Sequence, residues 1–178
     1  PQVVLGKKKL PDADHPFRAP SGSDVRGPCP GLNLMANHGY ISRSGITNFN
    51  ELVYGQQEAM GFGADLAVFL AALGMTVNGN PIADKLSIGG PDPRVPNLGL
   101  LGTGPAPGGI MKHNAYEIDA SLTRTDLGLG DNKPLNGTLY EQMFKIADEL
   151  NGGVIDGSVT GPIRSARYED SAARNPKF

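Results

Sequence analysis

The chain has 178 residues, enough for one domain with a proper core. Its formal charge of -2 indicates no basic surface of the kind that binds nucleic acid. No apolar run in it is long enough to span a membrane. We therefore expect neither a nucleic acid nor a membrane as partner.

Turn-forming residues and a single cysteine are the main features of the composition. The 25 glycines and 15 prolines are spread along the whole chain and predict a fold rich in loops. One cysteine excludes an internal disulfide. Its sulfur can be buried and inert, free and reactive, or bound to a metal.

The first half of the chain predicts an extended arm followed by helices. Residues 1–27 lack sustained periodicity, and we expect them to form an N-terminal arm over the surface. Residues 32–37 read as a helix that ends at Gly39. A longer helix is predicted from Thr47 as its N-cap, with a break at Gly61 and Gly63 and a continuation over 64–73.

The second half predicts a long loop and two further helices. Residues 86–112 read as an irregular loop. Thr138 and Glu141 form a capping box for a third helix that ends at Gly152. Residues 159–161 read as a short strand or turn, and 163–173 as a last helix. The predicted fold is mainly α, a single helical domain over 28–178 with long irregular loops.

Cys29 stands where a helix is predicted to begin. Pro30 suits the first helical position, because its missing N–H would be unpaired there. As N-cap, the Cys29 sulfur would face the free N–H groups of Gly31 and Leu32 and the positive end of the helix dipole. Such a thiolate can ligate a haem iron. The alternative from the residues alone is a small buried cysteine.

The residues around Cys29 carry a family resemblance. The segment Gly27-Pro-Cys-Pro-Gly-Leu-Asn-Leu-Met-Ala-Asn-His-Gly-Tyr-Ile41 resembles the proximal signature of the fungal haem-thiolate peroxidases, the chloroperoxidase and unspecific peroxygenase family. The resemblance implies haem b with Cys29 as the axial ligand of the iron, and Pro30, Gly31 and Leu32 beside it. It also implies a secreted enzyme that uses hydrogen peroxide to oxidise small organic substrates or transfer oxygen to them through a ferryl haem. His38 is expected to be a structural, hydrogen-bonded histidine.

A second motif follows at residues 116–124. Glu117 and Ser121 are four residues apart, a spacing that suits a hard cation such as magnesium. The segment resembles the second signature of the same family, in which the glutamate, a backbone carbonyl and the serine hold a cation against a haem propionate. Ile118 would supply that carbonyl, although it stands where relatives have histidine or glycine. A mechanism assisted by that histidine is therefore in doubt, and Asp119 and Arg124 are expected to orient neighbouring groups.

The family's distal acid has no counterpart in this chain. In the family, a segment beyond the position of Phe178 supplies a glutamate that moves the peroxide proton. We therefore expect the chain to lack this segment, with a companion C-terminal polypeptide from the same precursor as partner. Glu141 and Glu169 read as surface charges and not as replacements.

A haem pocket should be apolar, and four side chains are candidates for its wall: Met60, Phe62, Phe69 and Tyr116. Ordinary core packing is the alternative for them. Asn136 begins the one glycosylation sequon. Two other functions stay open: a non-catalytic fragment that binds haem or a small ligand, and a soluble helical domain with a buried cysteine.

Overall fold

The fold is described by a computed structural model that covers residues 3, 6, 7, 9–113, 115 and 119–178. It forms two compact units, Pro1–Glu117 and Ile118–Phe178. The first unit contains α1 (Pro30–His38), β1 (Ile46–Thr47), α2 (Phe49–Met60), α3 (Ala64–Asn78) and β2 (Leu86–Ser87). The second contains α4 (Gly137–Asn151) and α5 (Gly157–Arg174). The prediction of a mainly α fold is confirmed.

Helix α1 begins at Pro30, the position predicted from Cys29 as its N-cap. Its C-cap, Gly39, has a φ of 77°, and its N–H donates to the carbonyls of Ala36 and Met35. Glycine adopts this left-handed conformation without steric cost. Among residues 9–27, which contain no helix or strand, Arg18 N donates to Asn37 O at 2.9 Å. The chain before Cys29 therefore runs beside α1.

Helix α2 is capped by Asn48, so the prediction of Thr47 as N-cap was wrong. The Asn48 side chain accepts from Glu51 N, whereas Thr47 lies in β1 and its hydroxyl donates to Glu51 Oε2 at 2.9 Å. Both residue types are good caps. Strand pairing between Thr47 and Leu86 takes Thr47 out of the helix and leaves the cap to its neighbour.

Helix α3 continues to Asn78, five residues beyond its predicted end. Gly74 lies inside it and is buried, so packing outweighs the low helix propensity of glycine. The side chain of Gln56 joins α2 to α3, since its Nε2 donates to Leu52 O at 3.0 Å and to Ala67 O at 3.4 Å. These two helices form the main helical pair of the first unit.

The predicted loop over 86–112 contains a strand and is fixed by backbone hydrogen bonds. β1 and β2 pair antiparallel, with Ile46 opposite Ser87. Ile88 N then donates to Gly45 O at 2.9 Å, and Ile110 N donates to Ser87 O at 3.1 Å. The loop thus returns to the sheet and brings Ile110 into the core, where it is 1% exposed.

In the second unit, α4 and α5 pack around Ala147, Val159 and Ile163. The N-cap of α4 is Asn136, which accepts from Leu139 N, so the predicted capping box at Thr138 was wrong. Residues 159–161 belong to α5, and their prediction as a strand or turn was also wrong. Asp156 caps the helix upstream of these residues, and Pro162 lies within it. Within the described residues, no helix is both long and apolar enough to cross a bilayer.

Candidate functional site

Cys29 occupies the N-cap of α1, as predicted. Its backbone is extended (φ -77°, ψ 110°), Pro30 follows at the first helical position, and Cys29 O accepts from Asn33 N at 3.1 Å. The sulfur lies near the first turn, because a Cβ on Gly31 would be 3.9 Å from Cys29 Sγ. A cysteine at this end of a helix is in the place where the dipole favours an anionic sulfur.

The segment before Cys29 is held by two tight contacts. Gly27 N donates to Asn33 Oδ1 at 3.0 Å, and Asn33 Nδ2 donates back to Gly27 O at 2.8 Å. Gly27 also lies against the residue that follows β2, where an added Cβ would be 1.9 Å from Ile88 O. Only glycine fits this approach of the two backbones. Asn33 and Ile88 therefore fix the position of Cys29, and the sequence analysis assigned neither a role.

Cys29 lies in the wall of an open cavity of about 160 Å³. The wall is built from α1, α2, α3, β2 and Ile110, and nearly all of it is apolar. It is formed by Cys29, Gly31, Leu32, Met35, Leu52, Gln56, Met60, Phe62, Leu70, Ala71, Gly74, Leu86 and Ile110. Gln56 and Cys29 are the polar side chains of this wall.

Several predicted cofactor-binding residues come together here and others do not. Cys29, Gly31, Leu32, Met60 and Phe62 are part of the wall. Pro30 is exposed and lies outside it. Phe69 is 61% exposed, and the helix turns Leu70 and Ala71 to the cavity in its place. Tyr116 is outside the described residues.

The other wall residues could have been found from helical spacing. Gln56 and Leu52 are one and two turns before Met60, and Gly74 is one turn after Leu70. Leu86 and Ile110 come from β2 and the loop after it, where periodicity gives no such signal.

The chemistry of the wall suits an apolar cofactor that carries a metal. The wall offers an apolar surface, and the metal-ligating groups among its described lining residues are the sulfurs of Cys29, Met35 and Met60, of which only that of Cys29 can be anionic. Among its lining residues there is no carboxylate and no imidazole. The cavity wall can therefore bind and orient such a group, but it holds no side chain that would carry a proton at neutral pH.

The predicted cation site is described only at its serine. Glu117 and Ile118 lie outside the described residues. Ser121 is half-buried, and its carbonyl accepts from Arg167 Nε at 2.9 Å. No hydrogen bond of its hydroxyl is found in the described part of the chain. A cluster of three or more His, Cys, Asp or Glu side chains is not found among the described residues.

Asp119 and Arg124, which were expected to orient neighbouring groups, differ in whether their side chains have hydrogen-bond partners. Asp119 Oδ2 accepts from Asn175 Nδ2 at 2.7 Å, and Asp119 Oδ1 accepts from Leu127 N at 3.3 Å. Arg124 Nε is buried and has no hydrogen-bond partner within the described residues. The structure thus gives Asp119 partners that fix its orientation.

The predictions for three other polar residues are confirmed. His38 is hydrogen-bonded, since its Nδ1 is 2.8 Å from His15 O, and Phe17 packs edge-on against its ring. Glu141 and Glu169 are exposed on α4 and α5. Neither reads as a replacement for the distal acid.

Comparison with known proteins identifies the family. The family model described as "Peroxidase, family 2" matches residues 15–178. The chain belongs to peroxidase family 2. This confirms the resemblance drawn from the cysteine motif, and family membership implies a haem cofactor.

Three relatives show how much of such a protein is present. An aromatic peroxygenase of Coprinellus radians is 40% identical over 181 residues, which cover 100% of this chain and 67% of the relative. An aromatic peroxygenase of Cyclocybe aegerita is 38% identical over 96% of this chain and 46% of its own length. A peroxidase of dothistromin biosynthesis from Dothistroma septosporum is 38% identical over 93% of this chain and 39% of its own. The chain thus spans from about two fifths to two thirds of these relatives.

These names also bear on the enzyme class. The relatives are called peroxygenases or a peroxidase, and the matched family is a peroxidase family. The prediction of a peroxide-dependent oxidoreductase is therefore confirmed at the level of the family.

Proposed function

We propose that this chain is the haem-binding part of a haem-thiolate peroxygenase or peroxidase, with haem b in the cavity and Cys29 as the axial ligand. The observation that carries this proposal is the position of Cys29. It caps α1, it lies in an apolar wall, and Gly27 and Asn33 fix the chain before it. A buried inert cysteine would not need a cavity beside it.

The haem would supply the redox chemistry, in which hydrogen peroxide is the oxidant and a small organic molecule is oxidised or receives oxygen. The protein's part is to hold an anionic sulfur at the helix N-terminus and to keep water out. Leu32, Met60 and Phe62 would provide apolar contact with the macrocycle. Gln56, tied to two backbone carbonyls, would keep α2 and α3 at the separation that the cofactor needs.

The proton transfers need an acid that the cavity wall lacks. A peroxide must lose a proton from one oxygen and gain one on the other, and a carboxylate placed beside it can do both. The described wall contains no carboxylate and no imidazole. We propose that a companion polypeptide from the same precursor supplies this acid.

For the cation, we propose magnesium bound by the Glu117 carboxylate, the Ile118 carbonyl and the Ser121 hydroxyl, next to a haem propionate. Magnesium binds oxygen ligands and prefers few carboxylates together with an outside anion. The support from the described residues is the Ser121 hydroxyl, in a loop whose backbone is fixed by Arg167.

An absorption spectrum tests the ligand. The protein is loaded with haem, reduced and exposed to carbon monoxide, and the wild type should show the red-shifted Soret band of a thiolate ligand. Cys29→Ser should lose this band, whereas Ser44→Ala, outside the cavity wall, should keep it. If Cys29→Ser gave the same spectrum as the wild type, the assignment of Cys29 would be wrong.

A second function is a non-catalytic one, in which the chain binds haem or a small ligand. It is favoured by the same lack of an acidic side chain in the described cavity wall. Intact-mass measurement of native material and a peroxide assay on that material separate the two. A second polypeptide with turnover supports the enzyme, and a haem-loaded single chain without turnover supports the binding function.

We propose, finally, that the protein is secreted and glycosylated at Asn136, as its family resemblance implies. The Asn136 Nδ2 atom donates to Thr125 Oγ1 at 3.0 Å, and Oδ1 accepts from Leu139 N at 3.2 Å. A glycosylated amide keeps one hydrogen, so both bonds are compatible with a glycan. Glycosidase treatment followed by mass spectrometry of the native protein tests this site.

A further inference from the structure

The second unit contains a buried ionic network that the proposed chemistry does not use. Arg167 is 4% exposed and lies in the middle of α5. Its Nε donates to Ser121 O at 2.9 Å, Nη2 to Asp126 Oδ1 at 3.0 Å and Nη1 to Asp170 Oδ2 at 2.6 Å. All three nitrogens of the guanidinium are thus engaged, two of them with the loop before α4.

Asp126 is the second centre of this network and is 2% exposed. Besides Arg167, its carboxylate accepts from Ala120 N at 3.0 Å and from Asn175 Nδ2 at 3.2 Å. Removing one partner of a buried ion pair lowers the stability of the fold strongly, because it leaves an unpaired buried charge. The intact ion pair nevertheless contributes little net stability, since both charges had to be taken out of water. Stability alone is therefore a weak reason for this arrangement.

The ionic network makes hydrogen bonds to three successive residues of the loop, residues 119–121. Asn175 binds the Asp119 side chain, Asp126 binds the Ala120 N–H, and Arg167 binds the Ser121 carbonyl. Between the outer two, Ala120 has a φ of 63°, a left-handed conformation that costs a residue with a Cβ about 1–2 kcal/mol. The three contacts hold the backbone in a conformation that it would not keep alone.

We propose that Arg167 is a positioning residue, which acts with Asp126 and Asn175 to hold the 119–121 turn so that the Ser121 hydroxyl is presented to the cation. This inference rests on the proposed cation site. Arg167 itself does not bind the metal, because a guanidinium is a cation without an acceptor lone pair. It orients a ligand through that ligand's backbone, and partners of this kind typically change metal affinity by about 10–100-fold when they are removed.

The experiment measures Mn²⁺ binding to the haem-loaded full chain by electron paramagnetic resonance, with Mn²⁺ as a stand-in for Mg²⁺. Arg167→Lys keeps the charge but loses the three-way geometry of the guanidinium, and should weaken Mn²⁺ binding at least tenfold. Arg164→Lys, an exposed change on the same helix, should leave the affinity within twofold. Circular dichroism and the midpoint of unfolding report whether the fold is kept.

Asn175→Ala is the second variant, since it removes the donor shared by Asp119 and Asp126 and leaves Arg167 intact. It should also weaken Mn²⁺ binding. Folded Arg167 and Asn175 variants with the wild-type affinity would overturn the positioning role and leave the cation site standing. A wild type that binds no Mn²⁺ would overturn both. Unfolding of both variants would show that the network is structural, which also overturns the inference.

Discussion

Asn33 binds Gly27 through both ends of its side-chain amide, and this pair closes the loop that presents Cys29. The two hydrogen bonds, 3.0 and 2.8 Å long, satisfy the N–H and the carbonyl of a buried glycine. Asn33 lies on α1 itself, four residues after the cysteine. The helix that Cys29 caps thus also fixes the segment of chain that leads into it.

Asn33→Ala should leave two buried backbone groups without partners and cost about 1–3 kcal/mol of unfolding free energy. It should also lower haem affinity, because the Cys29 loop loses its anchor. Chemical denaturation and a haem titration measure the two effects. Asn33→Asp keeps the acceptor for Gly27 N and loses only the donor, so it should lie between the wild type and Asn33→Ala. Equal stability of all three proteins would contradict this role.

Gly27→Ala should destabilise the protein by about 3 kcal/mol or more, since the new methyl group would overlap the Ile88 carbonyl at 1.9 Å. The matched control is Gly157→Ala, at the start of α5, where an added Cβ meets nothing within 4 Å. That change should be neutral or stabilise by about 0.4–1 kcal/mol. Thermal unfolding of the two variants compares them directly, and similar losses in both would refute the role of the close approach.

Phe62 and Phe69 test where the cofactor lies. Phe62 is part of the cavity wall and Phe69 is 61% exposed outside it. Phe62→Ala should weaken haem binding about fivefold to tenfold, equivalent to about 1–1.4 kcal/mol of lost contact. Phe69→Ala should leave the affinity within twofold. The reverse order would place the haem on the outer face of α3.

The Asp92–Arg94 pair predicts a pH dependence of stability. Hydrogen bonds from the Arg94 side chain are the main reason why the pKa of Asp92 is lowered from its ordinary value of 3.8. The pair therefore contributes its full stability above about pH 3.8 and loses it as the pH falls through the lowered pKa. Asp92→Asn should be less stable at neutral pH by about 1.5 kcal/mol.

Denaturation curves between pH 2 and 7 check this expectation. The gap between wild type and Asp92→Asn should narrow below pH 3.8, because the wild-type carboxylate becomes protonated there. The exposed Asp131, changed to Asn, serves as the control. A gap that stayed constant down to the most acidic point would exclude the ion pair as its source.

Ala120→Gly should stabilise the chain by about 0.5–1 kcal/mol, because glycine accepts a φ of 63° without steric cost. Asp84 offers a contrast. It also has a positive φ, of 49°, but its side chain accepts from Phe49 N at 2.9 Å. Asp84→Gly should therefore gain nothing, since the relief is offset by the lost hydrogen bond. Unfolding midpoints that rank these two variants the other way would contradict this account.

Local rules predicted the start of α1 well, and they predicted the helix caps elsewhere less well. Cys29 and Pro30 satisfy a rule that involves only neighbouring residues, and the structure follows it. At α4, Asn136 and Thr138 are both good caps. Asn136 prevails because its amide also binds Thr125, a contact between residues 11 positions apart. Such a contact has no signal in the sequence around the cap.

The cavity wall also depends on contacts between distant residues, which local sequence rules do not predict. Met60 and Phe62, at the break between α2 and α3, line the cavity as predicted, whereas Phe69 within α3 is 61% exposed and lies outside the wall. Leu86 and Ile110 enter through β2 and a returning loop, which sequence periodicity does not describe. The hydrogen bonds between Asn33 and Gly27, and those of Arg167 to the loop at 119–121, likewise form only in the folded chain and have no local sequence signal.

The contact of Gly27 with Ile88 has a consequence for how the protein is made. Ile88 follows Gly27 by 61 residues, so a ribosome that has synthesised α1 and α2 has not yet produced the backbone against which the cysteine loop rests. Cys29 is therefore present early in translation, but the backbone contact that fixes its loop is completed late. If the proposed haem site is right, we expect stable incorporation of the cofactor only after β2 and the residues that follow it have emerged and paired with β1.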